Sequence, residues 1–257
     1  MADAEGKSGM SGFHVGTMGW SYDFWKGSFY PEGLDSSSFL AFYSSKFDTV
    51  EVDSTFYRIP RESTVKSWKD ETPMGFVFSL KFPQIITHVK MLKDCEEETR
   101  VFLERAEVLG EKLGALLLQF PFAFRVEHVP LLKEFLGNLP KEHRYAVEVR
   151  NKHLLNDEFY SVLRANGVAL AWVDSVSMPL ATEVTSDFLY VRWEGDRKRV
   201  NGTLGKTEID RSNETNQWVQ RLKPLMDRRT AVFGYFSKYY SGLPTLDAEQ
   251  FLRLARE

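Results

Sequence analysis

The sequence predicts a single α/β domain that folds as a (β/α)8 barrel of the TIM type. Eight short apolar runs alternate with segments in which apolar residues recur at helical spacing. This alternation indicates parallel strands joined by right-handed crossovers. Eight such units within 257 residues match the usual size of this barrel. A doubly wound open sheet is the alternative, but no glycine-rich phosphate-binding motif follows the first strand.

The eight strands are predicted from runs that are apolar or alternate with period two. Residues 76–82 alternate in this way, whereas residues 114–120 are almost entirely apolar, as in a buried parallel sheet. The strands are predicted at residues 13–19, 49–53, 76–82, 114–120, 145–149, 168–173, 188–193 and 230–236.

The helices are predicted from apolar residues three or four positions apart and from their caps. Residues 35–38 provide N-terminal caps for a helix that begins at Phe39, and Asn166-Gly167 is a typical C-terminal stop. Residues 174–187 contain Pro179 and show no helical period, so an irregular or missing helix is expected between strands 6 and 7. Further helical patterns lie in residues 62–70, 102–113, 131–139, 159–163, 218–225 and 247–255.

Composition and charge exclude several classes of protein. The chain has 33 basic and 36 acidic residues, which does not favour a dedicated nucleic-acid-binding protein. Cys95 is the only cysteine, so an intrachain disulfide and a cysteine-based zinc cluster are impossible. Residues 1–12 are rich in Gly, Ser and Ala with no apolar run. We therefore expect a disordered tail before one domain at 13–257, with no signal peptide, no membrane segment and a cytoplasmic location.

Polar residues cluster at the carboxyl ends of seven of the eight predicted strands, where barrels of this type carry their chemistry. Strand residues two positions apart face the same side, so Glu148 and Arg150 would face the barrel mouth together. The alternative interpretation is a set of structural ion pairs, for example Glu148 with Lys81 and Asp174 with Arg192. The strand-end residues are Glu51, Asp53, Ser79, Lys81, Gln119, Glu148, Arg150, Asp174, Arg192, Glu194, Tyr235 and Ser237.

Aromatic residues follow the first two strands. Residues 20–30 contain six aromatic rings, and Phe56 and Tyr57 add two more. Amphipathic rings at a polar mouth suit a ligand with apolar faces and hydroxyl edges, such as a sugar or a nucleobase. A small hydrophobic core over the barrel is the alternative, chiefly for Phe24, Phe29 and Phe56. Predicted ligand-binding rings are Trp20, Tyr22, Trp25 and Tyr57.

Two of the five histidines, His88 and His153, follow strand ends, and His88 is the better candidate for acid–base chemistry. The chain contains no His-Glu-x-x-His zinc pattern and no Gly-x-Ser-x-Gly elbow, so the familiar hydrolytic sites have no support.

Several short motifs are quite specific in combination. They are Gly16-Thr17-Met18-Gly19-Trp20-Ser21-Tyr22 with Trp25 and Phe29-Tyr30-Pro31, then Glu51 to Tyr57, Lys81-Phe82-Pro83 with Thr87-His88, Gln119-Phe120-Pro121 and Glu148-Val149-Arg150. With these motifs the chain resembles the YecE-like family (domain of unknown function 72) over about residues 13–255. The resemblance implies a TIM barrel. It implies no catalytic residues, because the family is largely uncharacterised and only loosely associated with sugar-isomerase-like barrels.

The chain departs from the family pattern at three places near the mouth. The family has Arg-x-His-Gly after strand 7, where this chain has Arg192-Trp193-Glu194-Gly195. It has Phe-Asn-Asn after strand 8, where this chain has Phe236-Ser237-Lys238, and a Trp in place of Leu154. These differences imply a variant ligand or a relaxed C-terminal part of the site.

The favoured function is an enzyme that acts on a small polyhydroxy compound, such as a sugar or sugar phosphate, by isomerase-like chemistry. Glu148 is the predicted acid or base, with Lys81 or Arg150 stabilising developing charge and His88 carrying a proton. Lys81 is alternatively a Schiff-base nucleophile. The predicted catalytic residues are Glu148, Lys81, His88, Asp53 and Arg150. The predicted ligand-binding residues are Trp20, Tyr22, Trp25, Glu51, Tyr57, Gln119, Asp174, Arg192 and Tyr235.

Other functions remain open at this point. The strand-end carboxylates and His88 supply enough ligands for magnesium or manganese in metal-assisted isomerase or phosphodiesterase chemistry, although Lys81, Arg150 and Arg192 would oppose a metal. A nucleic-acid-binding barrel would use the basic stretch 192–206. A glycosidase would pair Glu51 or Asp53 with Glu148. No cofactor is predicted, and a homodimer is expected from base rates alone.

Overall fold

The computed structural model describes residues 12–226 and 230–257. The disordered tail predicted at residues 1–12 lies outside these residues except for Gly12. Eight parallel strands form one sheet in the order β1-β8-β7-β6-β5-β4-β3-β2. The predicted (β/α)8 barrel is therefore confirmed. The strands are β1 Phe13–Thr17, β2 Thr49–Val52, β3 Val77–Lys81, β4 Leu113–Gln119, β5 Arg144–Glu148, β6 Ala169–Ser175, β7 Phe188–Gly195 and β8 Ala231–Phe236.

The barrel closes between β1 and β2 through a sparse set of contacts. Met18 and Glu51 form an isolated parallel bridge. The Tyr43 hydroxyl accepts a hydrogen bond from the Thr17 backbone N–H at 2.9 Å and donates to the Thr49 carbonyl at 3.0 Å. At Gly16 an added Cβ would lie 2.2 Å from the Thr49 oxygen, so the closure needs glycine there. One tyrosine hydroxyl thus replaces part of the missing backbone ladder.

Helices cover the outside of the sheet, with one gap. As predicted, β6 and β7 are joined without a helix. Instead, the Glu183 carbonyl accepts a hydrogen bond from the Trp172 indole, and the Thr185 hydroxyl accepts one from the Leu170 backbone. The helices are α1 Phe39–Ser44, α2 Ser54–Tyr57, α3 Glu62–Glu71, α4 Glu96–Glu107, α5 Val129–Asn138, α6 Asp157–Ala165, α7 Ser212–Met226, α8 Lys238–Ser241 and α9 Pro244–Arg256.

The fourth helix differs from its prediction. α4 begins at Glu96 and ends at Glu107, whereas the apolar pattern placed it at 102–113. Three glutamates in its first turn suit the positive end of a helix and mark this start. Gly110, with a φ of 59°, lies in the connection to β4. Among residues 12–226 and 230–257, none of the helices is both long enough and apolar enough for a membrane span.

The interior of the barrel changes from apolar to charged along its axis. Small and aromatic side chains fill the amino-terminal part, among them Ala115, Ala146 and Phe233. The Tyr235 hydroxyl then lies 2.7 Å from Ser79 Oγ and 2.9 Å from Thr49 Oγ1. Charged side chains follow at the carboxyl ends of the strands. A fully packed lower barrel therefore supports a polar mouth, as in other barrels of this kind.

Candidate functional site at the barrel mouth

Arg192 forms the floor of the mouth. It lies on β7, points into the barrel and is 1% exposed. Its Nε and Nη2 atoms donate to the two carboxylate oxygens of Glu51 at 3.0 and 2.8 Å. Its Nη1 atom donates to both Glu148 and Glu194 at 2.5 Å. A buried guanidinium is stable only when its charge and donors are matched in this way, so Arg192 holds three strands together.

Glu148 is part of this floor and does not line the cavity above it. Gln119 donates to its Oε1 at 2.8 Å, and Arg150 Nε lies 3.4 Å from the same oxygen. Burial favours the protonated acid, but the nearby cations Arg192, Arg150 and Lys81 outweigh burial and lower the pKa of Glu148 to about 2. Glu148 is thus held as a carboxylate by Arg192 and Gln119 below the cavity, whereas the predicted acid or base has to face the substrate.

Glu51 is also buried below the cavity, not on its wall as predicted. Besides Arg192, it accepts a hydrogen bond from the Tyr190 hydroxyl at 2.7 Å. Burial raises the pKa of Glu51, and the Arg192 guanidinium opposes this effect. Tyr190 is not among the predicted site residues, although its position two residues before Arg192 on β7 places both side chains on the inner face.

A cavity of about 360 Å³ opens above this floor at the carboxyl ends of the strands. Its size is that of a small-metabolite site. Eight of the predicted residues lie in its wall. They are Tyr22, Asp53, Tyr57, Lys81, His88, Gln119, Arg150 and Arg192. The other wall residues are Met18, Phe56, Gln84, Arg197, Ser237, Lys238 and Tyr239.

Lys81 and Asp53 form one side of the cavity. Lys81 Nζ lies 3.6 Å from Asp53 Oδ1 and 4.6 Å from the centre of the Phe56 ring. The Thr55 hydroxyl donates to the Lys81 carbonyl and accepts from its backbone N–H, which fixes α2 to β3. Asp53 Oδ1 is shielded from solvent yet accepts no hydrogen bond. The Asp53 side chain as a whole is 35% exposed, so its other carboxylate oxygen can accept a hydrogen bond from a ligand.

His88 lies beside this pair on the turn Ile85–Val89 that follows β3. Its Nδ1 is 2.9 Å from the Thr87 hydroxyl, and its ring packs edge-on against Phe56. Partial burial, with the positive charges of Lys81 and Arg150, lowers the pKa of His88 below its ordinary 6.5. This lowered pKa favours the neutral form of the His88 imidazole.

Residues after β7 and β8 form the opposite side. Lys238 Nζ lies 5.2 Å from the centre of the Tyr239 ring and 5.6 Å from that of Tyr22. The Arg197 guanidinium carbon lies 4.8 Å from the same Tyr239 ring centre. Lys238 and Arg197 are not among the predicted site residues. The basic stretch 192–206 and the family departure at Ser237-Lys238 were the available signals.

Four predicted ligand-binding residues lie away from the cavity. Trp25 is fully buried and packs against Tyr30 in an aromatic core. It therefore belongs to a small hydrophobic core and not to the ligand-binding surface. Trp20 packs edge-on against Trp68, facing a separate cleft. Tyr235 lies deeper in the barrel, bonded to Ser79 and Thr49.

Asp174 is the fourth. It accepts a hydrogen bond from the Trp218 indole at 2.7 Å and so faces the helix layer. The expected ion pair of Asp174 with Arg192 is wrong, because Ala169 and Ala171 face inward and period two then points residue 174 outward. The structural ion-pair interpretation instead describes Arg192 with Glu51, Glu148 and Glu194.

The carboxylates of the mouth are arranged around Arg192 and not around a shared metal position. Since Glu51 and Glu148 both contact Arg192, its guanidinium also lies where a glycosidase substrate would have to sit. Within the described residues, the group with metal-ligand spacing is Glu107, Glu142 and His143, at the opposite end of the barrel.

The family of the chain follows from its sequence as a whole. A family model described as "Protein of unknown function DUF72" matches residues 14–257. The chain belongs to the DUF72 family. This assignment agrees with the motifs found at the strand ends.

Several DUF72 relatives are similar to the chain. The Escherichia coli protein YecE is 34% identical over 138 residues, an alignment that spans about half the length of that protein (48%) and 54% of this chain. The Bacillus subtilis protein YunF is 28% identical, with 94% of each chain covered. A DUF72 crystal structure from Thermotoga maritima has 29% identity and a TM-score of 0.78, covering 95% of this chain and 99% of that one.

A second DUF72 crystal structure, from Enterococcus faecalis, has 23% identity and a TM-score of 0.74, covering 96% of this chain and 98% of that one. Its similarity supports the fold alone. These comparisons assign the chain to its family and support the barrel fold. They do not identify a substrate or a reaction.

Proposed function

We propose that the barrel mouth is the active site of an enzyme that performs acid–base chemistry on a small anionic polyhydroxy compound, such as a sugar acid or sugar phosphate. The observation that carries this proposal is the Asp53 carboxylate at the cavity wall, which is 35% exposed and whose Oδ1 lies 3.6 Å from Lys81 Nζ and 4.0 Å from Arg192 Nη2. A substrate hydroxyl can donate a hydrogen bond to the exposed part of this carboxylate while the hydroxyl oxygen lies near Lys81.

The charge of the mouth favours an anionic ligand. Five cations meet four carboxylates there, so the mouth carries one surplus positive charge while His88 is neutral. Three of the carboxylates are held in the floor by Arg192, which leaves the cavity wall richer in cations than the count alone indicates. The cations are Lys81, Arg150, Arg192, Arg197 and Lys238, and the carboxylates are Glu51, Asp53, Glu148 and Glu194.

The proposed roles follow from position and protonation. Neutral His88 removes a proton from the carbon next to a substrate carbonyl and returns it to the neighbouring carbon. Lys81 stabilises the negative charge that develops on the carbonyl oxygen. Asp53 accepts the proton of the adjacent hydroxyl and returns it to the former carbonyl oxygen, so that the carbonyl group moves to the neighbouring carbon. The Phe56 and Tyr57 rings offer an apolar face to the carbon chain. Glu148 holds Arg192 in place and takes no proton from the substrate.

The proposal is tested with a panel of sugars, sugar acids, sugar phosphates and nucleotides, by thermal denaturation and by product analysis. A ligand at 100 times its Kd stabilises the wild-type protein by about 2.7 kcal/mol. For any compound that is turned over, His88→Gln and Asp53→Asn are expected to lower kcat/KM by about 100-fold or more.

His153→Gln and Lys198→Gln are the matched controls, because both residues are exposed near the mouth and do not line the cavity. Their kcat/KM is expected to equal that of the wild type. Turnover that survives both His88→Gln and Asp53→Asn contradicts the assignment. A panel in which no compound binds or reacts contradicts the substrate class.

A further inference from the structure

Lys238 is a cation whose charge is not neutralised within the described part of the chain. It follows β8 directly, and its Nζ lies 5.2 to 5.6 Å from the ring centres of Tyr22, Phe24 and Tyr239. Aromatic faces attract an ammonium group without cancelling its charge. The rings therefore restrain the direction of Lys238 while its full positive charge remains available to the cavity that it lines.

Arg197 provides a second positive charge in the lining of the same cavity. Its guanidinium lies over the Tyr239 ring that Lys238 also contacts. Its counterion is shared: Glu194 lies 3.3 Å from Arg197, but its other oxygen binds Arg192 at 2.5 Å and lies 3.9 Å from Arg150. One carboxylate among three guanidinium groups leaves Arg197 only partly neutralised.

The two loops that carry these cations are fixed to each other. The Asp196 backbone N–H donates to the Tyr239 carbonyl at 3.1 Å, and the Ser237 N–H donates to the Trp193 carbonyl at 2.9 Å. Gly195, with a φ of 70°, allows this contact, since an added Cβ would lie 2.1 Å from the Tyr239 oxygen. A pair of cations on fixed loops is preorganised to bind an anion.

We propose that Arg197 and Lys238 form an oxyanion subsite that binds the phosphate group of a phosphate monoester. The inference rests on the proposed function and narrows its substrate class to phosphorylated polyhydroxy compounds. It also orients the substrate, with the phosphate at the loops after β7 and β8 and the reacting carbons at Lys81, Asp53 and His88. A phosphate monoester is favoured over a carboxylate because a dianion matches the two positive charges that line this part of the cavity.

The test measures binding of inorganic phosphate by isothermal titration calorimetry, in chloride buffer at constant ionic strength. Lys238→Gln and Arg197→Gln are each expected to weaken phosphate binding by about tenfold or more, since each removes a charge-assisted contact. Lys198→Gln and Arg199→Gln are the matched controls. Both residues are exposed cations on the loop of Arg197 and neither lines the cavity. Their phosphate affinity is expected to equal that of the wild type.

Three results overturn the subsite. One is a wild-type protein that does not bind phosphate. Another is equal affinity in all four variants and the wild type. The third is acetate binding as tight as that of phosphate through the same two residues, which would assign the subsite to carboxylates.

The same variants separate this inference from the proposed function. His88→Gln is expected to bind inorganic phosphate like the wild type, because His88 lies on the other side of the cavity. Phosphate binding that depends on Arg197 and Lys238, without turnover of any polyhydroxy compound, supports the subsite and contradicts the enzyme. Turnover that depends on His88, with KM unchanged in Lys238→Gln and Arg197→Gln, supports the enzyme and contradicts the subsite.

Discussion

Arg192 and Glu51 form a two-pronged ion pair across the interior of the barrel, with donor–acceptor distances of 3.0 and 2.8 Å and no more than 1% exposure of either residue. Glu51 lies on β2 and Arg192 on β7, so the pair joins strands from the two halves of the chain. Glu148 and Glu194 complete the coordination of the guanidinium. The mouth of the barrel is thus built on one arginine whose removal would leave three carboxylates facing each other.

Substitution of Arg192 by Met is expected to lower the free energy of unfolding by about 3 to 5 kcal/mol, because breaking a buried ion pair leaves an uncompensated charge in the barrel. Urea denaturation measures the change. Arg199→Met, at an exposed arginine, is expected to alter stability by less than about 0.5 kcal/mol. If Arg192→Met does not fold, Arg192→Lys can be measured in its place. Lysine keeps the positive charge but cannot make the two-pronged contact of the guanidinium, so the free energy of unfolding should fall by a smaller amount. Equal stability of the Arg192 and Arg199 variants would contradict the claim that the ion pairs of Arg192 stabilise the barrel.

The stability of the protein is expected to depend on Glu148 in acid. The folded-state pKa of Glu148 is about 2, below its ordinary 4.5. A carboxyl with a lowered pKa stabilises the fold above its unfolded pKa, and this contribution disappears as the pH falls from about 4.5 to about 2. The shift in the pKa of Glu148 corresponds to about 3 kcal/mol of stability.

Urea denaturation across this pH range compares the wild type with Glu148→Gln. The variant should be less stable at pH 7 and should lose less stability on acidification, because it has no carboxyl to protonate at this position. Glu134→Gln, at an exposed glutamate of α5, should follow the wild-type curve. Parallel pH curves for the wild type and Glu148→Gln would show that the cations do not stabilise the Glu148 carboxylate.

The arrangement of the strands was predictable because it depends on local patterns. The period of two identifies the strands, and the polar residues at their carboxyl ends identify the mouth. The same alternation explains the orientation of Asp174. On β6, Ala169 and Ala171 face the barrel interior, so residue 174 lies on the outer face, where its side chain contacts Trp218. The prediction failed there because it assigned all strand-end residues to the mouth.

The division of the mouth into a buried floor and an open wall was not predictable in this way. Arg192 and Glu51 are 141 residues apart, and nothing local to either residue indicates that they meet. The residue type of Glu148 and its position at a strand end fit the role of acid or base. Only the distances across the barrel show that its oxygens bind Arg192 and Gln119, while the Asp53 carboxylate remains partly exposed at the cavity wall.

Substitution of Asp174 by Ala tests the corrected position of this residue. The change removes the acceptor of the buried Trp218 indole and is expected to lower the free energy of unfolding by about 1 to 3 kcal/mol. Binding of any ligand found for the mouth should be unchanged, because Asp174 does not line the cavity. Urea denaturation and ligand titration measure the two effects. Gln119→Ala is the positive control: Gln119 lines the cavity, so this variant should bind the ligand more weakly. Weaker ligand binding in Asp174→Ala would restore the sequence-based assignment.

The protonation of His88 can be measured directly, without a substrate. Partial burial and the charges of Lys81 and Arg150 lower the pKa of His88, so its ring should titrate below pH 6.5. Removal of a neighbouring positive charge makes protonation easier, and Arg150→Gln is therefore expected to raise the pKa of His88. NMR titration of the imidazole protons measures both values, with assignment from His88→Gln. Lys198→Gln should leave the titration unchanged. A His88 pKa at or above 6.5 in the wild type, or an unchanged pKa in Arg150→Gln, would remove the electrostatic basis for a neutral base.

Since only the neutral imidazole accepts a proton, turnover by the mouth should fall as the pH drops through the pKa of His88, and the pH of this fall should increase in Arg150→Gln.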